Sequence, residues 1–108
     1  MAYNESLADR VREVLTSQFD ITEKKMFGGL AFMLNGNMVC GVTRDDIMLR
    51  VGSENYAEAL KQPGARQMDM GGRPMKSMVF VNGTGLTDVD LADRVNACAR
   101  FASSLPPK

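Results

Sequence analysis

The sequence predicts an α+β fold: an antiparallel β-sheet of about five to six short strands flanked by three helices. Helical apolar spacing lies near both ends of the chain, and short apolar runs separated by turn residues fill the middle. Successive parallel strands need a crossover helix, and the turn pairs Asn35-Gly36 and Asp45-Asp46 leave no room for one. A length of 108 residues fits a single domain over residues 1–108.

The first helix is predicted over residues 5–18. Asn4 is a good N-cap because its side chain accepts a hydrogen bond from the first turn, and Glu5 places negative charge at the positive end of the helix dipole. Apolar residues recur there at helical spacing and form a core-facing stripe. Its members are Leu7, Val11, Val14 and Leu15.

Four short strands follow, each bounded by residues that favour turns. They are predicted over residues 24–27, 30–34, 38–43 and 47–51. A bend or bulge is expected at Gly28-Gly29, because glycine accepts positive φ freely. Asn35-Gly36 is a strong hairpin signal, and Asp45-Asp46 predicts the next turn, since aspartate favours local hydrogen bonding there.

A short helix, two strands and a long helix are predicted in the second half of the chain. Ser53 is the predicted N-cap of a helix from Glu54 to about Lys61, which Pro63-Gly64 ends. The two strands are predicted over residues 67–70 and 77–81, with a loop between them. The last helix begins after a cap at Thr87 or Asp88 and continues to about Ser104. Its apolar stripe consists of Leu91, Val95, Cys98, Ala102 and Leu105.

Both faces of the predicted strands are apolar, whereas a sheet covered on one side should alternate apolar and polar residues. The chain has nine methionines, and seven of them lie in predicted strands: Met26, Met33, Met38, Met48, Met68, Met70 and Met78. One interpretation is that helices cover both faces or that methionine fills gaps. The other is that the second face mediates contact with a second copy, as a homodimer, or with another protein. The methionines lack the clustered spacing of a copper site, so no metal is predicted.

The composition excludes several classes of function. The chain has no histidine, which removes the commonest general acid/base and the commonest transition-metal ligand. Neither Cys40 nor Cys98 belongs to a CxxC pair, and no cofactor motif is present. The 13 basic and 13 acidic residues do not favour direct nucleic-acid binding. No secretory signal or membrane-spanning run is recognised, so a cytoplasmic protein is expected. The missing histidine and the lack of a catalytic motif predict that it is not an enzyme.

Four segments resemble the N-terminal domain of the TfoX/Sxy family, as found in its stand-alone members. They are residues 24–32, Asn35-Gly36, residues 46–51 and residues 70–76, and the similarity extends over about residues 5–105. The resemblance implies a compact α+β fold and a link to regulation of competence for DNA uptake. It implies no catalytic residues. Full-length members carry a C-terminal helical domain with helix-hairpin-helix character, which is not expected in this chain.

The candidate contact residues fall into two groups. Arg73 and Lys76 bring positive charge to the glycine-rich loop over residues 71–76, which predicts a contact to a carboxylate or phosphate. The second group consists of the sheet residues Met26, Phe27, Met33, Met48 and Arg50. Arg50 is expected to pair with a carboxylate or to lie at the rim. The predicted function is a non-catalytic regulatory or protein-interaction domain. The alternatives are a small-molecule or anion-binding domain at residues 71–76 and an accessory nucleic-acid-binding module.

Overall fold

A computed structural model of the chain describes residues 3–26, 28–70 and 73–107. It has the predicted α+β fold, with three helices and a six-stranded antiparallel sheet in the described part of the chain. The helices are α1 (Glu5–Thr16), α2 (Tyr56–Leu60) and α3 (Asp88–Ser103). The strands are β1 (Thr22–Met26), β2 (Gly29–Leu34), β3 (Asn37–Thr43), β4 (Asp46–Arg50), β5 (Ala65–Met70) and β6 (Arg73–Asn82). None of these helices has the length and apolar character that crossing a bilayer requires.

The sheet has the strand order β1-β2-β3-β4-β6-β5, and every neighbouring pair is antiparallel. The predicted hairpin is confirmed, because Asn35 and Gly36 both have positive φ, 54° and 82°, between two paired strands. The next turn was predicted one residue too late. Thr43 pairs with Asp46, so the turn residues are Arg44, with φ 54°, and Asp45.

The start of α2 also differs from the prediction. The residue at the N-cap position is Asn55, not Ser53, and the helix begins two residues later than predicted. The amides of Val51 and Gly52 both donate to the Ser77 carbonyl, at 2.9 and 3.1 Å, which holds this stretch against β6. The chain therefore needs a turn over residues 53–55 before it can leave the sheet as a helix.

The predicted loop between the last two strands is largely strand. In the backbone, Arg73 pairs with Met70 and Pro74 pairs with Asp69, so β6 begins four residues earlier than expected. Pro74 indicated a loop because proline is excluded from the interior of a sheet. Pairing with β4 starts only at Met78, however. The first residues of β6 are therefore paired to β5 alone, where proline is tolerated.

All three helices pack on one face of the sheet and share one core with it. The helix side contributes Leu7, Ala8, Val11, Leu15, Ala59, Leu91, Val95, Cys98, Ala99 and Ala102. The strands contribute alternate residues, among them Leu30, Phe32, Ile47, Leu49, Val79 and Val81. Val14 and Leu105, both predicted in apolar stripes, are only partly buried. The described helices therefore do not cover the opposite face of the sheet.

Candidate interaction face

The sheet face turned away from the helices carries the residues that alternate with the core positions, and we call it the outer face. The strand register places one row of residues across the whole sheet on this face: Lys24, Ala31, Gly41, Met48, Phe80 and Arg66. The next rows add Met33, Met38 and Met78. The outer face therefore has an apolar centre with basic side chains towards both edges.

Methionine side chains fill the centre of the outer face. Met48 and Met78 are buried and pack with the partly exposed Met38 and Phe80. A Cβ added at Gly41 would lie 2.6 Å from Met48 Cε and 3.1 Å from Met38 Cε, so both methyl groups lie over this glycine. At Met48 the gap-filling interpretation accounts for the residue, because its side chain is 1% exposed within the chain itself.

Arg66 lies on the edge strand β5, at one side of the outer face. Its guanidinium lies over the Phe80 ring, with Cζ 5.6 Å from the ring centroid, and donates to Asp46 Oδ1 at 2.6 Å. Arg66 therefore reaches across β6 to β4, and its side chain is half exposed. Because its partners are 14 and 20 residues away in sequence, Arg66 carries no local signal that would have identified it as part of this face.

The predicted contact residues Met33 and Arg50 have different surroundings in the structure. Met33 is partly buried on β2, where it alternates with Phe32 and Leu34 of the core, and so lies on the outer face. Arg50, expected to pair with a carboxylate or to lie at the rim, is the partly exposed last residue of β4. Its guanidinium lies over the Phe101 ring, at 5.9 Å from the centroid, and donates to the Met38 carbonyl at 3.5 Å. Among the described residues, the contacts of the Arg50 guanidinium are therefore with α3 and with the backbone of β3.

The other predicted contact residues are described only in part. Met26 ends β1 and pairs with Gly29 in the backbone, but its side chain lies outside the described part of the structure. Phe27 lies outside the described residues altogether. Arg73 and Lys76 belong to β6 by their backbone, and their side chains are likewise not described. The anion contact predicted for residues 71–76 therefore stays a prediction.

The two cysteines are free and buried. Burial raises the pKa of the Cys98 thiol to about 12, and burial together with the neighbouring Cys98 raises the pKa of Cys40 well above its ordinary value. Both thiols are therefore protonated at neutral pH and poor nucleophiles. Among the described residues, no three His, Cys, Asp or Glu side chains are grouped as a metal site would need.

Comparison with protein-family models identifies a match over most of the chain. The family model described as the TfoX N-terminal domain matches residues 13–102 of the 108. The matched range begins in α1 and ends near the last residue of α3, so it includes the whole sheet and the outer face. No curated protein and no solved structure matches the chain significantly.

Proposed function

Because the chain belongs to the TfoX N-terminal domain family, we propose that it is a non-catalytic interaction domain that self-associates through the outer face of its sheet. The observation that carries the proposal is the one-sided placement of the helices. It leaves Met33, Met38 and Phe80 partly exposed in the middle of a sheet. Apolar side chains grouped on one face are typical of a contact surface.

A second copy of the chain is the occupant that the chemistry of this face favours. In a two-fold dimer the same patch of each protomer meets itself, and an apolar centre is complementary to its own copy. The ion pair between Arg66 and Asp46 lowers the net charge that two facing copies would bring together. Methionine side chains adapt their conformation to the surface they meet, which favours close packing across such a contact.

The state of the two thiols, Cys40 and Cys98, fits a role in contact and not in chemistry. Both thiols are buried and protonated, and the chain has no histidine to activate them. A domain that acts by association suits a regulatory role. Free cysteines also fit a reducing compartment, and we place the protein in the cytoplasm.

Sedimentation velocity over a concentration series tests the proposal. The wild type is expected to sediment as a dimer at high micromolar concentration. Met33→Glu is expected to shift it towards monomer, because the change places a charge in the contact. The matched control is Val89→Glu, which adds the same charge on α3 at a side chain that is 70% exposed, and it should leave the dimer intact.

Two results would contradict the proposal. One is a wild-type protein that stays monomeric throughout the series. The other is a Met33→Glu variant that stays dimeric while its circular dichroism spectrum shows an intact fold.

A further inference from the structure

Every methionine side chain that the structure describes lies on the outer face of the sheet. The main core between the sheet and the helices is built from other residue types, chiefly leucine, valine and alanine. Methionine and leucine exchange at low cost in a protein core because their volumes are similar, so packing alone does not explain this distribution. The property that leucine lacks is the thioether, which an oxidant converts into a polar sulfoxide. The methionines concerned are Met33, Met38, Met48 and Met78.

Two of these four side chains reach the surface as a pair. Met33 of β2 and Met38 of β3 are directly opposite each other in the strand register, and both are partly exposed. Met48 and Met78 are covered within the chain, since they are only 1% and 7% exposed. Opposite residues of an antiparallel strand pair lie about 4.5–5.5 Å apart at Cβ, so Met33 and Met38 belong to the same small patch of surface.

We propose that Met33 and Met38 form a site of oxidation by hydrogen peroxide that controls the association of the domain, an inference that rests on the proposed self-association. A sulfur lone pair attacks one peroxide oxygen, so that an S–O bond forms while the O–O bond breaks. The sulfur is oxidised by two electrons to the sulfoxide, and the peroxide is reduced to water. The step takes place in the dissociated protomer, where the outer face is open to solvent. A methionine sulfoxide reductase reverses it, because two thiols are oxidised to a disulfide and the oxygen leaves as water.

A sulfoxide opposes association because its oxygen is a strong acceptor placed in an apolar contact. Met38 packs against side chains that carry no hydrogen-bond donor, namely Met48, Met78 and Phe80. The Arg50 guanidinium is directed to the Met38 carbonyl and to the Phe101 ring. Water hydrates the sulfoxide oxygen in the free protomer but is displaced when a second copy covers the face, and a buried acceptor without a donor is unfavourable. The main core contains neither Met33 nor Met38, so the fold is expected to survive their oxidation.

Peptide mapping by mass spectrometry tests which methionines react. The full chain is treated with hydrogen peroxide at low protein concentration, where the protomers are separate. Met33 and Met38 should each gain one oxygen well before Met48 and Met78 do. Oxidation of all four at the same rate, in a chain whose circular dichroism spectrum is unchanged, would overturn the assignment of the site.

Sedimentation velocity of the treated and untreated chain measures the effect on association. Oxidation is expected to raise the dissociation constant of the dimer at least about tenfold, the loss that corresponds to one buried acceptor without a donor. A double variant with Met33→Leu and Met38→Leu should form the dimer and lose this response to peroxide. Leucine keeps the contact apolar and is not oxidised, while every other methionine of the chain is retained.

Two controls connect the response to the position of the sulfoxide. Adding Val89→Met to the double variant introduces an oxidisable side chain on α3, at a position that is 70% exposed, and its oxidation should leave the dimer intact. Treating the oxidised wild type with a thiol and methionine sulfoxide reductases for both sulfoxide epimers should restore the dimer.

The outcomes separate the oxidation site from the proposed self-association. A wild type that is monomeric before treatment contradicts self-association, and the control by oxidation falls with it. A dimer that persists after Met33 and Met38 have both been oxidised overturns the control by oxidation alone. An equal loss of dimer in the double leucine variant does the same, because it assigns the sensitive residue to another part of the chain.

Discussion

Replacing Gly29 with alanine is expected to destabilise the fold through one close backbone contact. A Cβ at Gly29 would lie 2.2 Å from the Val42 carbonyl oxygen and 3.1 Å from Thr43 Cβ. The neighbouring Gly28 has the opposite property, since its φ of +68° strains any other residue although the space around it is open. Gly85 has neither restriction. Alanine at these three positions therefore separates steric overlap from backbone strain.

The magnitude follows from the size of the overlap. Ordinary contacts between carbon and oxygen begin at about 3.3 Å, so β2 and β3 must separate by roughly 1 Å to accept the new atom at Gly29. Overpacking of this kind costs about 1–3 kcal/mol, and alanine recovers about 0.4–1 kcal/mol by restricting the unfolded chain. The expected net loss for Gly29→Ala is about 1–2 kcal/mol.

The two comparison variants have smaller expected effects. Gly28→Ala should cost about 1 kcal/mol, because the left-handed conformation costs an L-residue about 1–2 kcal/mol and the unfolded-state term offsets part of it. Gly28→Asn should recover some of that loss, since asparagine tolerates this conformation. Gly85→Ala should be neutral or stabilising by up to about 1 kcal/mol.

Urea unfolding followed by far-ultraviolet circular dichroism measures these differences. With an m-value of about 1.5 kcal/mol/M, Gly29→Ala should lower the urea midpoint by about 1 M relative to the wild type. A Gly29→Ala midpoint equal to that of Gly85→Ala would refute the reasoning. It would mean that β2 and β3 can separate at this point without cost.

Three further predictions rest on other contacts. Asn37 is 1% exposed, and its side chain donates to the Pro106 carbonyl at 3.0 Å. Asn37→Ala should therefore lower the free energy of unfolding by about 1–3 kcal/mol. An unchanged urea midpoint would contradict this prediction. The hydrogen bond from Arg12 holds the pKa of Glu23 below its ordinary value of 4.5, so the pair adds stability above about pH 4.5 that is lost as the pH falls through the folded-state pKa. Glu23→Gln should therefore lower the free energy of unfolding by less than about 1 kcal/mol at pH 7, since the pair is partly exposed. Its stability should also fall less steeply with decreasing pH than that of the control Glu54→Gln, which changes an exposed residue. The two buried thiols should react with an aromatic disulfide reagent at pH 8 only after unfolding, and rapid labelling of the folded protein would contradict that expectation.

Local hydrogen bonding explains why several elements could be predicted closely. Asn4 caps α1 by accepting from the Leu7 amide at 3.1 Å, and Thr87 caps α3 by accepting from the Asp90 amide at 3.1 Å. The turn of the hairpin at Asn35-Gly36 uses positive φ at those two adjacent residues. Each of these features involves residues no more than three positions apart.

Contacts between residues distant in sequence account for two of the wrong predictions, the loop at Pro74 and the start of α2. The strand that replaces the predicted loop at Pro74 depends on β4 ending before it reaches that residue. The late start of α2 depends on hydrogen bonds from Val51 and Gly52 to Ser77, about 25 residues further along the chain. Propensity carries no information about such partners, because they are set by the order and the offsets of the strands.

The sequence by itself therefore determined the three helices, the antiparallel sheet and the apolar character of both strand faces. The tertiary structure decided which of those apolar residues are buried within the chain and which stay partly exposed on the outer face. It buried Met48 over Gly41 and brought Arg66 across Phe80 to Asp46. The physical reason is range: caps and turns form within a few residues, whereas burial and pairing on a sheet face depend on strands that are distant in sequence.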